Sequence, residues 1–218
     1  MNKQTFKQHW RWIVFLLCIV PFAFLAWNAA HHGITRADAL GQNLRLAVIS
    51  DGLTPIVKAV TTLGSAKGLI AEAVILLITL TAMRRWKLGV SAAVNLLLAW
   101  LLNERLKAIF HRPRPADPWL VQETGLSFPS GHSMVSMAFY GFLIYLVWRC
   151  VTDKKRKYTL TAVLGVLIPL IGLSRIYLGV HYVTDVIGGF LIALCYLTVY
   201  TAVIDRLVFR AGTTEKSE

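Results

Sequence analysis

Residues 186–204 read VIGGFLIALCYLTVYTAVI, nineteen positions without a charge. A helix that crosses the ~30 Å hydrocarbon core of a bilayer needs ~20 apolar residues. A helix lying on a soluble core would keep a polar face recurring every 3.6 residues, and this stretch has none. The same pattern extends outward along the chain. Trp12–Ala30, Leu88–Asn103, Ser133–Trp148 and Tyr158–Ser174 are also free of charge, and Ala73–Met83 lengthens toward Leu63 if Lys67 and Glu72 are admitted. The expected fold is therefore all-α: a polytopic membrane protein with six transmembrane helices in an antiparallel bundle, residues 1–218 forming one domain. Composition agrees, at 56% hydrophobic and 16% charged with a mean hydropathy of +0.58, where soluble domains carry ~25% charged residues. Disordered, collagen-like and disulfide-framework classes are excluded. Cys18, Cys150 and Cys195 fall in or beside spans and read as small packing residues.

The net charge of +12, from 23 Lys and Arg against 11 Asp and Glu, then becomes a question of position. Six crossings put both termini on one side. Lys3, Lys7 and Arg11, then Arg84, Arg85 and Lys87, then Arg149 and Lys154 to Lys157, then Arg206, Arg210 and Lys216 all fall on that side. The positive-inside rule makes it cytoplasmic, with tails at 1–11 and 206–218, in the plasma membrane. The charge thus reads as topology, and no nucleic-acid partner is required to explain it. Lys3, Lys7 and Arg11 ahead of an apolar run also resemble a signal peptide. That run is longer than the usual h-region, however, and Asn28-Ala29-Ala30 is a poor cleavage site, so a retained span is expected.

One outward segment is too polar to cross. Between Ile34 and Ser50 the residues Ile34, Ala37, Leu40, Leu44, Ala47 and Val48 form a helical stripe, and Thr35 with Asp38 has the spacing of a capping box. An amphipathic helix at the outer interface is expected, either a lid or a packed connector. Pro55 marks the next helix start, and Gly64-Ser65 a break.

Of the remaining nine basic residues, five lie at the outer ends of the third and fifth spans, against the charge rule, with His111, His132, His181 and Asp185 around them. Charge near hydrocarbon is costly unless paired, so intramembrane ionisable groups are functional candidates. Lys107, Arg114 and Arg175 supply three cationic donors. Ser130-Gly131-His132 opens the fourth span, where backbone N–H groups at a helix start suit a phosphate. His181 and Asp185 are four apart and share a helix face if the sixth span begins near Gly179. A carboxylate on one imidazole nitrogen fixes the tautomer and frees the other for attack, and a second histidine, His132, could protonate the leaving oxygen. Two histidines, a carboxylate and three cations suit phosphoryl transfer without metal, where positioning and charge neutralisation dominate. Each residue alone has a plainer reading. Lys107 and Arg114 could snorkel, either histidine could bond a helix end, Asp185 could pair with Arg175, and Ser130 could be an ordinary N-cap.

Together the residues resemble a known family. Lys107-Ala-Ile-Phe-His-Arg-Pro-Arg114-Pro115 matches K-x6-R-P, Pro129-Ser130-Gly131-His132 is P-S-G-H, and Ser174-Arg175 with His181 and Asp185 matches S-R-x5-H-x3-D. This three-part signature is that of the type 2 phosphatidic acid phosphatase superfamily, and the resemblance spans about residues 60–205. It implies that His181 is the nucleophile forming a phosphohistidine, that Asp185 holds and polarises it, and that His132 is the general acid. Lys107, Arg114, Ser130, the Gly131 amide and Arg175 would bind the phosphoryl oxygens; no metal and no cofactor are implied. His111, Arg112 and Glu104 lie outside the matched positions and receive no role. The implied substrates are outer-leaflet lipid phosphates: phosphatidylglycerophosphate, phosphatidic acid, diacylglycerol pyrophosphate or undecaprenyl pyrophosphate. A lipid-to-lipid phosphotransferase of the same fold and a non-enzymatic lipid carrier or channel are the competing readings.

Overall fold

The structure, a computed structural model, describes residues 3–31, 33–116 and 118–210; Lys216 and the rest of the expected tail beyond 210 lie outside the described residues. Among the described residues all regular structure is helical. The elements are α1 (Lys3–Ala30), α2 (Arg36–Val48), α3 (Leu53–Leu63), α4 (Ala66–Ala82), α5 (Trp86–Phe110), α6 (Gly131–Cys150), α7 (Lys154–Tyr177) and α8 (Val183–Ile204). α8 runs on into a π-helical segment, Asp205–Arg210. Five helices are long and apolar enough to cross a membrane, and six if α3 and α4 count as one span bent by 51° at Gly64-Ser65.

In lipid every backbone N–H and C=O must find its partner within the segment, which favours unbroken helices wherever the apolar runs are long. Helix starts are marked by side chains that accept the first free N–H groups: Thr35 from Asp38, Ser65 from Gly68, Ser130 from Ser133 and Asp153 from Arg156. The distribution of side chains inverts that of a soluble bundle. Ala92, Ala99, Ala138 and Ala193 are fully buried, while Leu17, Val20, Ile75, Ile78, Val163 and Val199 are exposed. Lipid tails are as apolar as leucine, so helices associate through close packing of small residues and interhelical hydrogen bonds. Asn95 Nδ2 donates to Ala138 O at 3.0 Å, Tyr200 Oη to Ser91 O at 2.6 Å, and Tyr196 Oη to Asn95 O at 3.2 Å. α6 is central, packed on α5, α7 and α8, with α1 on the far side of α8 and α4 on α5.

α2 carries the expected capping box, with reciprocal bonds between Thr35 and Asp38. Its stripe residues Ile34, Leu40, Leu44 and Val48 are exposed, and the buried residues are instead Asp38 and Arg45. Arg45 Nε donates to Tyr177 O at 3.1 Å and Nη2 to Pro118 O, so the polar face ties α2 to the end of α7 and to the α5–α6 loop. Gly179 at φ +81 accommodates that arginine, since a Cβ there would stand 2.5 Å from Arg45 Cζ. One boundary departs from expectation. α8 begins at Val183 and not near Gly179, because the chain after α7 turns through Gly179 before Tyr182 starts the helix.

Candidate active site

Four helix ends and one loop meet at the same end of the bundle. The C-terminus of α5 brings Lys107, the N-terminus of α6 brings Ser130, Gly131 and His132, and the C-terminus of α7 brings Arg175. The turn before α8 brings His181, and the first turn of α8 brings Asp185. His181 therefore precedes the helix, and the shared helix face is not what joins it to Asp185. Asp185 instead turns back to accept Tyr182 N–H at 2.8 Å, which places its Oδ2 3.4 Å from His181 Nδ1.

The partners of the imidazole define its tautomer. Arg114 Nη1 lies 3.2 Å from Nε2, and a guanidinium can only donate, so Nε2 is the acceptor. Nδ1 then carries the proton, facing Asp185 Oδ2 and Ser127 Oγ, the latter at 3.3 Å. Ser127 Oγ also donates to Asp185 Oδ2. Burial pushes the His181 pKa down to about 4 against the pull of Asp185, and the charges of Arg114 and Arg175 add to the lowering. The ring is thus neutral at physiological pH, with the lone pair of Nε2 toward the cationic groups.

Asp185 is fully buried and is held from its other side by a residue to which sequence reasoning assigned nothing. Arg112 Nη1 donates to Asp185 Oδ1 at 2.6 Å and to Thr184 Oγ1 at 2.7 Å, and its Nη2 donates to Asp38 Oδ2 at 3.0 Å and Gly33 O at 2.8 Å. Asp38 accepts in addition the Thr184 N–H at 2.9 Å. Arg112 is 1% exposed, and its Cζ lies 4.3 Å from the centre of the Tyr182 ring. One buried cation between two buried carboxylates connects α2, the α5–α6 loop and α8. The signal available in sequence was the doubled Arg-Pro at 112–115, with nothing there to say which arginine faces which acid.

The phosphate-binding candidates stand as follows. Arg175 Nη1 donates to Thr61 Oγ1 at 2.9 Å and Nη2 to Glu123 Oε1, while its buried Nε has no partner among the described residues. Arg114 also donates to Val180 O at 3.0 Å, Gly125 O at 3.1 Å and Thr124 O at 2.9 Å, with Glu123 Oε2 3.7 Å away. Glu123, a second unforeseen residue, therefore sits between two of the expected phosphate ligands. Lys107 Nζ is 3.7 Å from Glu104 and would be 3.7 Å from a Cβ on Gly131, so the ammonium lies against the start of α6. His132, half-buried, lies close enough to Arg175, His181, Lys107 and Arg114 to feel their charges. Ser130 is fully buried, with its Oγ accepting from Ser133 N–H at 3.4 Å and Ser133 Oγ at 3.0 Å, which is the ordinary N-cap position. A cleft of about 480 Å³ lined by Trp119, Leu120, Val121 and Gln122 opens on the loop that carries Glu123.

Comparison with known proteins identifies the family. The pattern of the PAP2 superfamily matches residues 86–209. The phosphatidylglycerophosphatase B of Bacillus subtilis is 34% identical over 174 residues, which cover 78% of this chain and 86% of that protein. An undecaprenyl-diphosphatase of Sulfolobus acidocaldarius is 30% identical over 115 residues, 50% of this chain and 52% of that one. The crystal structure of a transmembrane PAP2-type phosphatidylglycerolphosphate phosphatase from Bacillus subtilis superposes with a TM-score of 0.80 at 29% identity, over 88% of this chain and 96% of that one. The chain belongs to the PAP2 superfamily, as a multi-pass membrane phosphatase that acts on phosphate esters.

Proposed function

We propose that the protein removes the terminal phosphate or pyrophosphate of a lipid through a phosphohistidine on His181. The observation that carries this reading is the His181 tautomer. Nε2 keeps an in-plane lone pair beside Arg114, and Nδ1–H faces the Asp185 carboxylate. Nε2 attacks phosphorus as the P–O bond to the leaving group breaks, and His132 protonates the departing oxygen. Water then cleaves the P–N bond, giving up its proton to His132 and restoring both histidines. Arg114, Arg175, Lys107 and the amides at the start of α6 neutralise the phosphoryl oxygens, which carry ~1.5–2 negative charges near neutral pH. Arg175 Nε, already desolvated, is a ready donor to one of them. Ser130 would serve through its backbone and its cap, its hydroxyl being turned into α6. The whole chain acts as one unit in this scheme, with no metal and no cofactor.

In this reading the site faces the extracytoplasmic headgroups, supported by the basic residues Arg11, Arg84, Arg85, Lys87 and Arg149 at the opposite end of the bundle. α2 then lies at that outer interface with its apolar stripe toward lipid. Phosphatidylglycerophosphate is the leading substrate, followed by undecaprenyl pyrophosphate, phosphatidic acid and diacylglycerol pyrophosphate, in view of the relatives' names. The test is release of inorganic phosphate by the purified protein across these four lipids in detergent, with and without EDTA. EDTA should leave the rate intact; inhibition reversed by a divalent ion would point to a metal enzyme. His132→Ala should lose ~10²–10⁴-fold, and His181→Ala more, because the covalent route disappears. Near-normal release by His181→Ala would sink the mechanism, and phosphate passed to a second lipid without stoichiometric release would make the enzyme a transferase.

A further inference from the structure

At the end of the bundle away from His181 a cavity of about 430 Å³ opens among Arg84, Arg85, Trp86, Lys87, Arg149 and Phe209. Lys87 stands twenty residues before Lys107 on α5, ~30 Å along the helix axis, so the two sites are separate. Its charge is one-sided. Among the described residues no carboxylate lies within 4 Å of Arg84, Arg85 or Lys87, and only Arg149 has an acidic partner, Asp205 at 2.9 Å. Arg84 holds the left-handed conformation at φ 57, uncommon for a residue with a Cβ. Arg85, at the cap position of α5, makes no side-chain capping bond. The cations are flanked by aromatic faces: Arg149 Cζ is 4.3 Å from the Phe209 ring and Lys87 Nζ 6.0 Å from that of Trp86.

A second feature begins in this cavity and leads away from it. Trp86, Val90, Val94, Leu97 and Leu101 follow one another at spacings of four, four, three and four along α5, and all five are exposed. Such spacing puts them on one face of the helix. An apolar track of several turns therefore runs from a basic, aromatic-lined seat into the depth of the bilayer. A soluble phosphate would use the seat alone; a phospholipid would use both. We infer that this end of the molecule carries a binding site for an anionic phospholipid, its headgroup phosphate held by Arg84, Arg85 and Lys87 and an acyl chain lying along α5. Basic pockets between helices at membrane interfaces hold lipid headgroups in this manner.

Native mass spectrometry of the detergent-purified protein tests it, with dioleoylphosphatidylglycerol as the anionic probe, dioleoylphosphatidylcholine as the zwitterionic one, and inorganic phosphate as the soluble one. The wild type should retain phosphatidylglycerol in preference to phosphatidylcholine. The triple variant R84Q/R85Q/K87Q should bind phosphatidylglycerol roughly a hundredfold more weakly, at about fivefold per charge. Phosphate release from a water-soluble aryl phosphate should be unchanged in that variant. Arg175→Gln should keep the lipid, which separates this site from the catalytic one. Should the triple variant fail to purify, Lys87→Gln reads the same seat with one charge removed, at about fivefold weaker binding. Equal retention of phosphatidylglycerol by variant and wild type overturns the inference. So does loss of the lipid in Arg175→Gln, or its displacement by inorganic phosphate at equal concentration, which would make the seat a site for free phosphate.

Discussion

At the scale of single residues, the chemistry depends on how His181, Arg114 and Glu123 share a small volume. A histidine whose pKa is lowered to about 4 is neutral and nucleophilic at any pH above that value. The acid limb of kcat/KM assigned to the nucleophile should therefore fall near 4, once the ionisation of the phosphate substrate near 6 is divided out. A limb for the enzyme near 6.5 would mean that the imidazole titrates like a free one. The same shift acts on stability. The unfolded histidine takes up a proton near 6.5 and the folded one only near 4, so stability falls as pH drops between those values and levels off below them. In the proposed mechanism Glu123 works against anion binding, since its carboxylate is bonded to Arg175 and approaches Arg114. A phosphate bound by both arginines, as proposed, would have to displace it. Glu123→Gln should bind vanadate several-fold more tightly than the wild type, at about 1 kcal/mol for one competing charge-assisted bond. An unchanged vanadate inhibition constant would mean that Glu123 does not compete for the arginines.

At the scale of elements, α2 is more than a connector, because its one acidic residue completes a buried ion network. Arg112 between Asp38 and Asp185 leaves none of the three groups unpaired, and removing one charge from such a set typically costs about 3–5 kcal/mol. Asp38→Asn should therefore lower the thermal unfolding midpoint. It should also lower kcat with little change in KM, since Arg112 would then be free to draw Asp185 away from His181. A variant with both quantities unchanged would leave α2 without influence on the site. The exposed stripe of α2 fits the same account. Polar anchors such as Asp38 and Arg45 face the protein, and the apolar residues face outward, the reverse of a surface helix in water.

At the scale of the whole molecule, the bundle places Lys87 and Gly125 at opposite ends of its long helices. Single cysteines at these two positions, in a background with Cys18, Cys150 and Cys195 replaced, should react with an impermeant maleimide from opposite sides of sealed vesicles. Labelling of both from one side would rule out α5 as a crossing. The long apolar helices, five or with the bent α3–α4 pair six, and the three motifs were readable in the chain alone. Long uncharged runs have no stable alternative to helix in hydrocarbon, and the candidate phosphate-binding groups are concentrated in short local segments. His181 and Asp185 were paired correctly from a spacing of four, although the geometry that joins them is a capping turn. The roles of Arg112 and Glu123, and of Asp38 beyond its capping box, were not legible. Their partners lie 73 residues away for Arg112 and Asp185, 52 for Arg175 and Glu123, and 146 for Thr184 and Asp38. A charge in a sequence states its sign but not its neighbour. Only helix packing, which desolvates these groups and forces each to find a partner, decides which charges meet.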